Sequence, residues 1–145
     1  MCMCGRSKKK APSNSPQWGR IFLAILCLGL LCACARTPEQ QVARSLEDAL
    51  ETLYEGDVDE YMQTLDFGAP LDSAHYALYS EAVRQQLQQE GHEQKVTSWH
   101  VSEVKFQNDT LATAFYTLYL ASGDSLCKGQ KMAKTGGVWK MRMKD

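Results

Sequence analysis

Few side chains in this sequence are able to do chemistry, and they are scattered. Asp66, His75, His100, Tyr61 and Tyr116 are the groups that would serve as a general base or support one. A base needs a pocket, an orienting partner and a shifted pKa. No spacing in the chain pairs any of the five with a second carboxylate or hydroxyl. His75, His92 and His100 have no metal-ligand spacing of the H-x-x-x-H kind, and neither G-x-S-x-G nor a glycine-rich phosphate loop occurs. Cys127 has no evident base and reads as a small hydrophobe in a strand. The expectation is therefore a protein that is not an enzyme, with no catalytic residue, no cofactor and no metal. Covalent chemistry is expected at one place, Cys34, where an apolar run ends in Leu31-Cys32-Ala33-Cys34.

That run begins at Ile21 after Lys8-Lys9-Lys10 and Arg20. Its apolar core, Ile21 to Leu31, is too short for a spanning helix, which needs about 20 residues, and fits the h-region of a secretory signal. The four closing residues resemble the lipobox of bacterial lipoproteins: Leu at −3, a small residue at −1, Cys at +1. Cys32 at −2 departs from the usual Ala, Ser, Thr or Val. Cys27 and Cys32 are poor alternatives, since Leu precedes each. The resemblance implies a signal peptide over 1–33, diacylglycerol on the Cys34 sulfur, and cleavage before it. It further implies an envelope protein held to the membrane through Cys34. Ala35 rather than Asp at the next position implies the outer membrane, and the lack of an acidic run over 35–38 implies a domain facing the periplasm.

Cleavage changes the charge. Loss of Arg6, Lys8, Lys9, Lys10 and Arg20 leaves 112 residues with 11 Lys and Arg against 17 Asp and Glu, a net charge of −6. A net negative domain is a poor partner for nucleic acid, which binds through cations on phosphates. Cys127 is the sole thiol left, so no internal disulfide forms. The charge is also uneven, with −10 over residues 35–94 and +4 over residues 95–145. A basic sheet face toward an anionic partner is one reading; a solvated face, with lysines blunting exposed edges, is the favoured one.

Residues 34–37 read as the lipidated Cys and a short tether, and 38–145 as one domain. Its first half reads as helices. Thr37-Pro38-Glu39-Gln40 is a capping box with Pro at the first helical position. Val42, Leu46, Ala49, Leu50 and Leu53 form an apolar stripe, and Gly56 ends it. Asp57 caps a second helix with Val58, Tyr61, Met62 and Leu65 on its face. Asp72 or Ser73 caps a third, with Ala74, Leu78, Ala82, Val83 and Leu87 as its apolar side and Gly91 as its stop.

The second half reads as strands. In Val96 to Phe106, Trp99 and Val101 share one parity and Val104 and Phe106 the other, which predicts a bulge near Ser102-Glu103. In Leu111 to Leu120, Ala112, Ala114, Tyr116, Leu118 and Leu120 share a face, with Thr113 and Thr117 opposite. Leu126 to Lys134 is a third strand. Thr135-Gly136-Gly137 is a hairpin turn. In the last strand Trp139, Met141 and Met143 face in, and Lys140, Arg142 and Lys144 face out.

Helices followed by a meander predict an α+β fold, helices packed on a curved antiparallel sheet of about four strands. Leu53-Tyr54-Glu55-Gly56-Asp57 at the end of the first helix, and the hairpin Lys134-Thr-Gly-Gly-Val-Trp139-Lys140-Met141, resemble the small nuclear transport factor 2-like (cystatin-like) lipoproteins. The resemblance implies a cone-like domain and covers nearly the whole mature chain. Aromatic walls of such a cone, Trp99, Phe115, Tyr116 and Trp139, suggest a site for a small apolar ligand or an envelope partner protein. Tyr61, Trp99, Phe115 and Tyr116 are the expected pocket lining. The alternatives are an isomerase-, cyclase- or hydrolase-like enzyme using the same cone, and a structural or accessory envelope subunit.

Overall fold

The computed structural model describes residues 36–143. The leader 1–33 and Cys34 lie outside the described residues, as does Lys144. Helix α1 (Pro38–Glu55) starts where its caps place it. The Gln40 N–H donates to Thr37 Oγ1 at 3.3 Å and the Thr37 N–H donates to Gln40 Oε1 at 3.1 Å, so two otherwise orphaned donors are satisfied reciprocally. Val42, Leu46, Ala49 and Leu50 are buried, one stripe at the helical period. Gly56 ends the helix at φ +85°, a left-handed conformation open to glycine without penalty. The Gly56 N–H donates to Leu53 O and the Asp57 N–H to Thr52 O. Both bonds satisfy orphaned carbonyls of the last turn.

Asp57 then works a second time. Its side chain accepts from the Glu60 N–H at 3.0 Å and opens α2 (Val58–Gln63). One residue thus closes one helix with its backbone and starts the next with its side chain. Helix α2 stops two residues before Leu65. Leu65–Asp66 instead forms β1, a two-residue strand parallel to the last strand of the sheet. The Met141 N–H donates to Thr64 O, and the Met143 N–H to Asp66 O, both at 2.9 Å. The sheet consequently has five strands rather than about four.

Helix α3 (Ser73–Gln89) is capped by Asp72, whose Oδ1 accepts from the His75 N–H at 2.9 Å. It ends at Gln89, with Glu90 extended and Gly91 at φ −62°, so Gly91 is not a left-handed stop. A 3₁₀ turn (His92–Gln94) leads into the meander β2 (Val96–Asn108), β3 (Leu111–Leu120), β4 (Ser125–Thr135) and β5 (Val138–Arg142). The order across the sheet is β1-β5-β4-β3-β2.

The expected bulge is present. Val101 pairs with Tyr116 but Glu103 pairs with Phe115, which leaves Ser102 as the extra residue. Its hydroxyl donates to Phe115 O at 3.1 Å. The slip keeps Trp99, Val101 and Val104 against the core on both sides of the bulge. The β4–β5 turn has two residues at positive φ, Gly136 (60°) and Gly137 (81°), the pair that a two-residue hairpin of matching twist requires.

Buried Ala112, Ala114, Tyr116 and Leu118 of β3 meet Met132, Trp139 and Met141 on the face covered by α1. Met143, expected to face in, is 46% exposed. The larger departure is α3. It packs on α2 rather than across the sheet. Ala74, Leu78 and Ala82 are exposed, Leu78 by 67%, while Ser80 is buried and Val83 and Leu87 are half-buried. The buried Ser80 hydroxyl is satisfied by the Tyr76 carbonyl at 2.9 Å. Because α3 leans outward on α2, the far end of the sheet stays uncovered.

Candidate functional site

That uncovered end is a cavity of about 530 Å³ between the C-terminal turns of α1 and α3 and the inner face of the sheet. Val96, Leu120 and Leu126 form its apolar floor, and Tyr54, Gln86, Gln89, Glu90, Gln94 and Lys128 bring polar groups to it. Gln86 and Gln89 come from the last turns of α3, Tyr54 from the last turn of α1, and Lys128 from β4, opposite Tyr116. The Tyr54 ring stacks on Trp99 at 5.8 Å, so Trp99 supports a polar wall rather than lining an apolar one.

The Tyr54 phenol is pushed up to about 12, first by burial, then by the negative charge of Glu90 and by Tyr116 and Tyr61. It therefore stays protonated at any physiological pH and acts as a hydrogen-bond donor. The cavity holds three amides, a phenol donor, one carboxylate and one ammonium. This set can grip a polar group in several orientations and hold an apolar part against the floor. Neither His nor Cys lines it.

The expected lining residues fall elsewhere. Tyr61 and Tyr116 are buried core residues, each 8% exposed. Burial, then Tyr116, pushes the Tyr61 phenol up to about 12, and burial raises Tyr116. They fill the inside of the cone. Phe115 stands on the opposite face of β3 from Tyr116, since neighbours in a strand alternate. There Lys105 Nζ lies 5.2 Å from its ring centre, and a Cβ on Gly129 across the strand would come within 3.3 Å of it. Phe115 is thus part of the outer face and lines no inner wall. Trp139 is buried under Phe106, edge to face at 5.8 Å, with Lys134 Nζ 5.9 Å from its centre.

The ionisable candidates stay apart. Asp66 Oδ1 accepts from the Gly68 N–H at 2.9 Å and shapes the turn after β1. His100 is exposed on β2, and Cys127 is exposed on β4 with its sulfur 3.6 Å from Thr117 Oγ1. His75 does have a carboxylate partner, contrary to expectation. Its Nδ1 lies 2.7 Å from Asp72 Oδ2, with both side chains 64% exposed. The i,i+3 spacing on one helical turn explains the contact. The His75 backbone N–H, followed by its ring, holds the Asp72 carboxyl below its ordinary 3.8. A lowered folded-state value means that the charged cap stabilises fully above the unfolded value and stops doing so as pH falls through the folded one. Asp72→Asn, which keeps a capping oxygen, is therefore expected to melt slightly below wild type at pH 7. Melting curves in a pH series should show that gap closing below 3.8.

No protein-family model matches the chain, and no curated protein matches it either. Solved structures do match. A Campylobacter jejuni protein described as a candidate NTF2-like transpeptidase aligns at TM-score 0.56 and 16% identity, over 68% of this chain and 94% of that one. The fold is nuclear transport factor 2-like. An NTF2-like protein of unknown function from Shewanella oneidensis aligns at TM-score 0.46 and 15% identity, over 70% of this chain and 91% of that one. A SEC-C motif protein from Rhodopseudomonas palustris gives 0.47 and 16%, over 80% and 85%. The cavity residues of this NTF2-like domain were not singled out by sequence reasoning. One signal pointed to them: the stripe of α3 gives way to Gln85-Gln86, then Gln88-Gln89-Glu90, just where the helix loses its partner.

Proposed function

We propose that this chain is a lipid-anchored, non-enzymatic domain of the bacterial cell envelope. It sits on the outer membrane, faces the periplasm, and binds a small ligand with a polar head, or an extended partner segment, in the open end of its cone. The observation that carries the reading is the cavity framed by Tyr54, Gln86, Gln89, Glu90 and Lys128 on an apolar floor. Recognition sites combine an apolar wall with a few convergent polar groups in this way. The anchor rests on the Leu31-Cys32-Ala33-Cys34 site.

Binding is favoured over catalysis for a chemical reason. Transpeptidation, which the description of the Campylobacter neighbour suggests for that protein, needs a nucleophile with a base in hydrogen-bond reach. Cys127, the free thiol among the described residues, lies on the outer face with Thr117. The accessory-subunit reading keeps one supporting observation, the filling of the inner cone by Tyr61 and Tyr116.

Leu126 is 46% exposed at the cavity, so Leu126→Trp adds bulk without disturbing the core. Native mass spectrometry of protein taken from its own membranes is expected to find an added small-molecule mass on the wild type. Leu126→Trp should lose that mass at unchanged Tm. A wild type carrying no added mass, or a Leu126→Trp protein that keeps it, would count against the small-ligand reading.

A further inference from the structure

We propose that the end of the domain where α1 begins is a docking face for anionic lipid headgroups; this rests on the anchor reading above. The first argument is chain length. Pro38 is four residue steps from Cys34, and an extended residue spans at most about 3.6 Å, so a lipid on Cys34 holds that end within about 14 Å of the bilayer surface. Tyr54 lies sixteen residues further along α1, about 24 Å away at 1.5 Å per residue. The tether thus brings one end of the domain to the membrane and turns the cavity toward the aqueous side.

The second argument is what stands at the tethered end. The β2–β3 and β4–β5 turns meet there, with the Lys134 N–H donating to Thr110 O at 2.8 Å. A groove of about 550 Å³ separates Pro38, Glu39 and Gln41 of α1 from the tip of β2. Phe106 (38%) and Val138 (56%) are the exposed large apolar residues of these turns. Such side chains suit the boundary of headgroup and acyl chain.

The third argument is charge. On the outer face of the sheet, Lys105 and Lys131 flank Thr113, and Lys140 pairs with Ala133, all in the rows nearest the tether. Past the bulge that face carries His100, Thr117 and Cys127, then Ser98, Tyr119 and Ser125, without a Lys or Arg. Arg36, Lys134 and Arg142 add cations at the tethered end; Glu39, Glu103, Asp109 and Asp66 are its acids, with Glu103 on Lys105 at 3.4 Å and Asp66 paired with Arg142 in the β1–β5 register, so the end stays net positive. The far end sets six acids, Glu55, Asp57, Asp59, Glu90, Glu93 and Asp124, against three cations, Arg84, Lys95 and Lys128, and so stays net negative. Lysines near an anionic surface are attracted within a Debye length, about 8 Å at physiological salt, while the acidic end is repelled. Both forces orient the domain the same way.

The test uses the mature lipidated protein with Cys127→Ser, because a lipidated Cys34 has no free thiol. Val138→Cys reports the tethered end and Ser125→Cys the far end, each labelled with a nitrobenzoxadiazole dye. Vesicles are phosphatidylethanolamine with phosphatidylglycerol, and in a second arm phosphatidylethanolamine with neutral phosphatidylcholine. The expected result is a severalfold emission rise at Val138 on the anionic vesicles, quenched by lipid-borne nitroxide, with Ser125 unchanged and a much smaller Val138 rise on the neutral ones. Flotation with a silent Val138 label, or equal signals at both positions, overturns the docking face. An equal Val138 rise on both vesicles overturns the headgroup assignment. A protein that does not float, with an unmodified Cys34 by mass, overturns the anchor reading and the docking face with it.

Discussion

Replacing Trp139 with Ala is expected to remove about 3–5 kcal/mol of stability, the range for truncating a buried large aromatic. The side chain is 6% exposed and stands where the first turns of α1 approach the sheet. Its loss would strip the edge contact to Phe106 and the Lys134 ammonium over its ring. It would also open a cavity beside Met132 and Met141, which α1 has no means of refilling, because its capping box and stripe fix its position. A domain of this size is stable by about 5–15 kcal/mol, so the substitution consumes a large share. Thermal melting of a soluble version starting at Arg36 should show Trp139→Ala far below wild type or unfolded. Phe115→Ala, on the outer face, is the control and should melt close to wild type. Similar melting for both would place Trp139 outside the core.

Cys34→Ala is expected to abolish anchoring while leaving the domain intact. The thiol is the acceptor of the lipid in the proposed reading, and no other residue near the cleavage site offers one behind a small −1 residue. Among the described residues no helix is long and apolar enough to cross a membrane, so the domain supplies no second anchor of that kind. Mass spectrometry of the wild type should find a mature chain starting at an acylated Cys34. The Cys34→Ala protein should lack that mass and either remain unprocessed or appear in the soluble fraction. Its domain should melt like wild type, since the position precedes α1. An intact Cys34 thiol on native protein would sink the idea.

The sequence by itself determined the parts of this fold that depend on neighbours within a few residues. The capping box at Thr37, the Gly56 stop, the Asp57 cap and the Gly136-Gly137 turn are local hydrogen bonds and local φ values, and each stands where it was read; of the two caps open for α3, Asp72 or Ser73, it is Asp72. Periodicity carried the stripe of α1, the inner face of β3 and the bulge at Ser102. It also carried more than was taken from it. Phe115 lies between Ala114 and Tyr116, so alternation already turned it away from the cone; grouping it with the other aromatics by residue type overrode the period. His75 likewise stood three residues after Asp72, within one helical turn.

Tertiary structure alone decided the rest. Two residues, Leu65 and Asp66, became a strand because β5 offered free backbone groups beside them, a partner more than seventy residues away. The apolar residues of α3 were read as one face, yet Ala74, Leu78 and Ala82 are exposed and only Val83 and Leu87 are half-buried, because a stripe says that a helix has an apolar side but not which neighbour covers it. Helix α3 lies on α2, and that choice leaves the sheet's end open to Gln86, Gln89, Glu90 and Lys128. Whether a cone is filled or open depends on where a helix comes to rest, a balance of long-range packing that no few-residue pattern encodes.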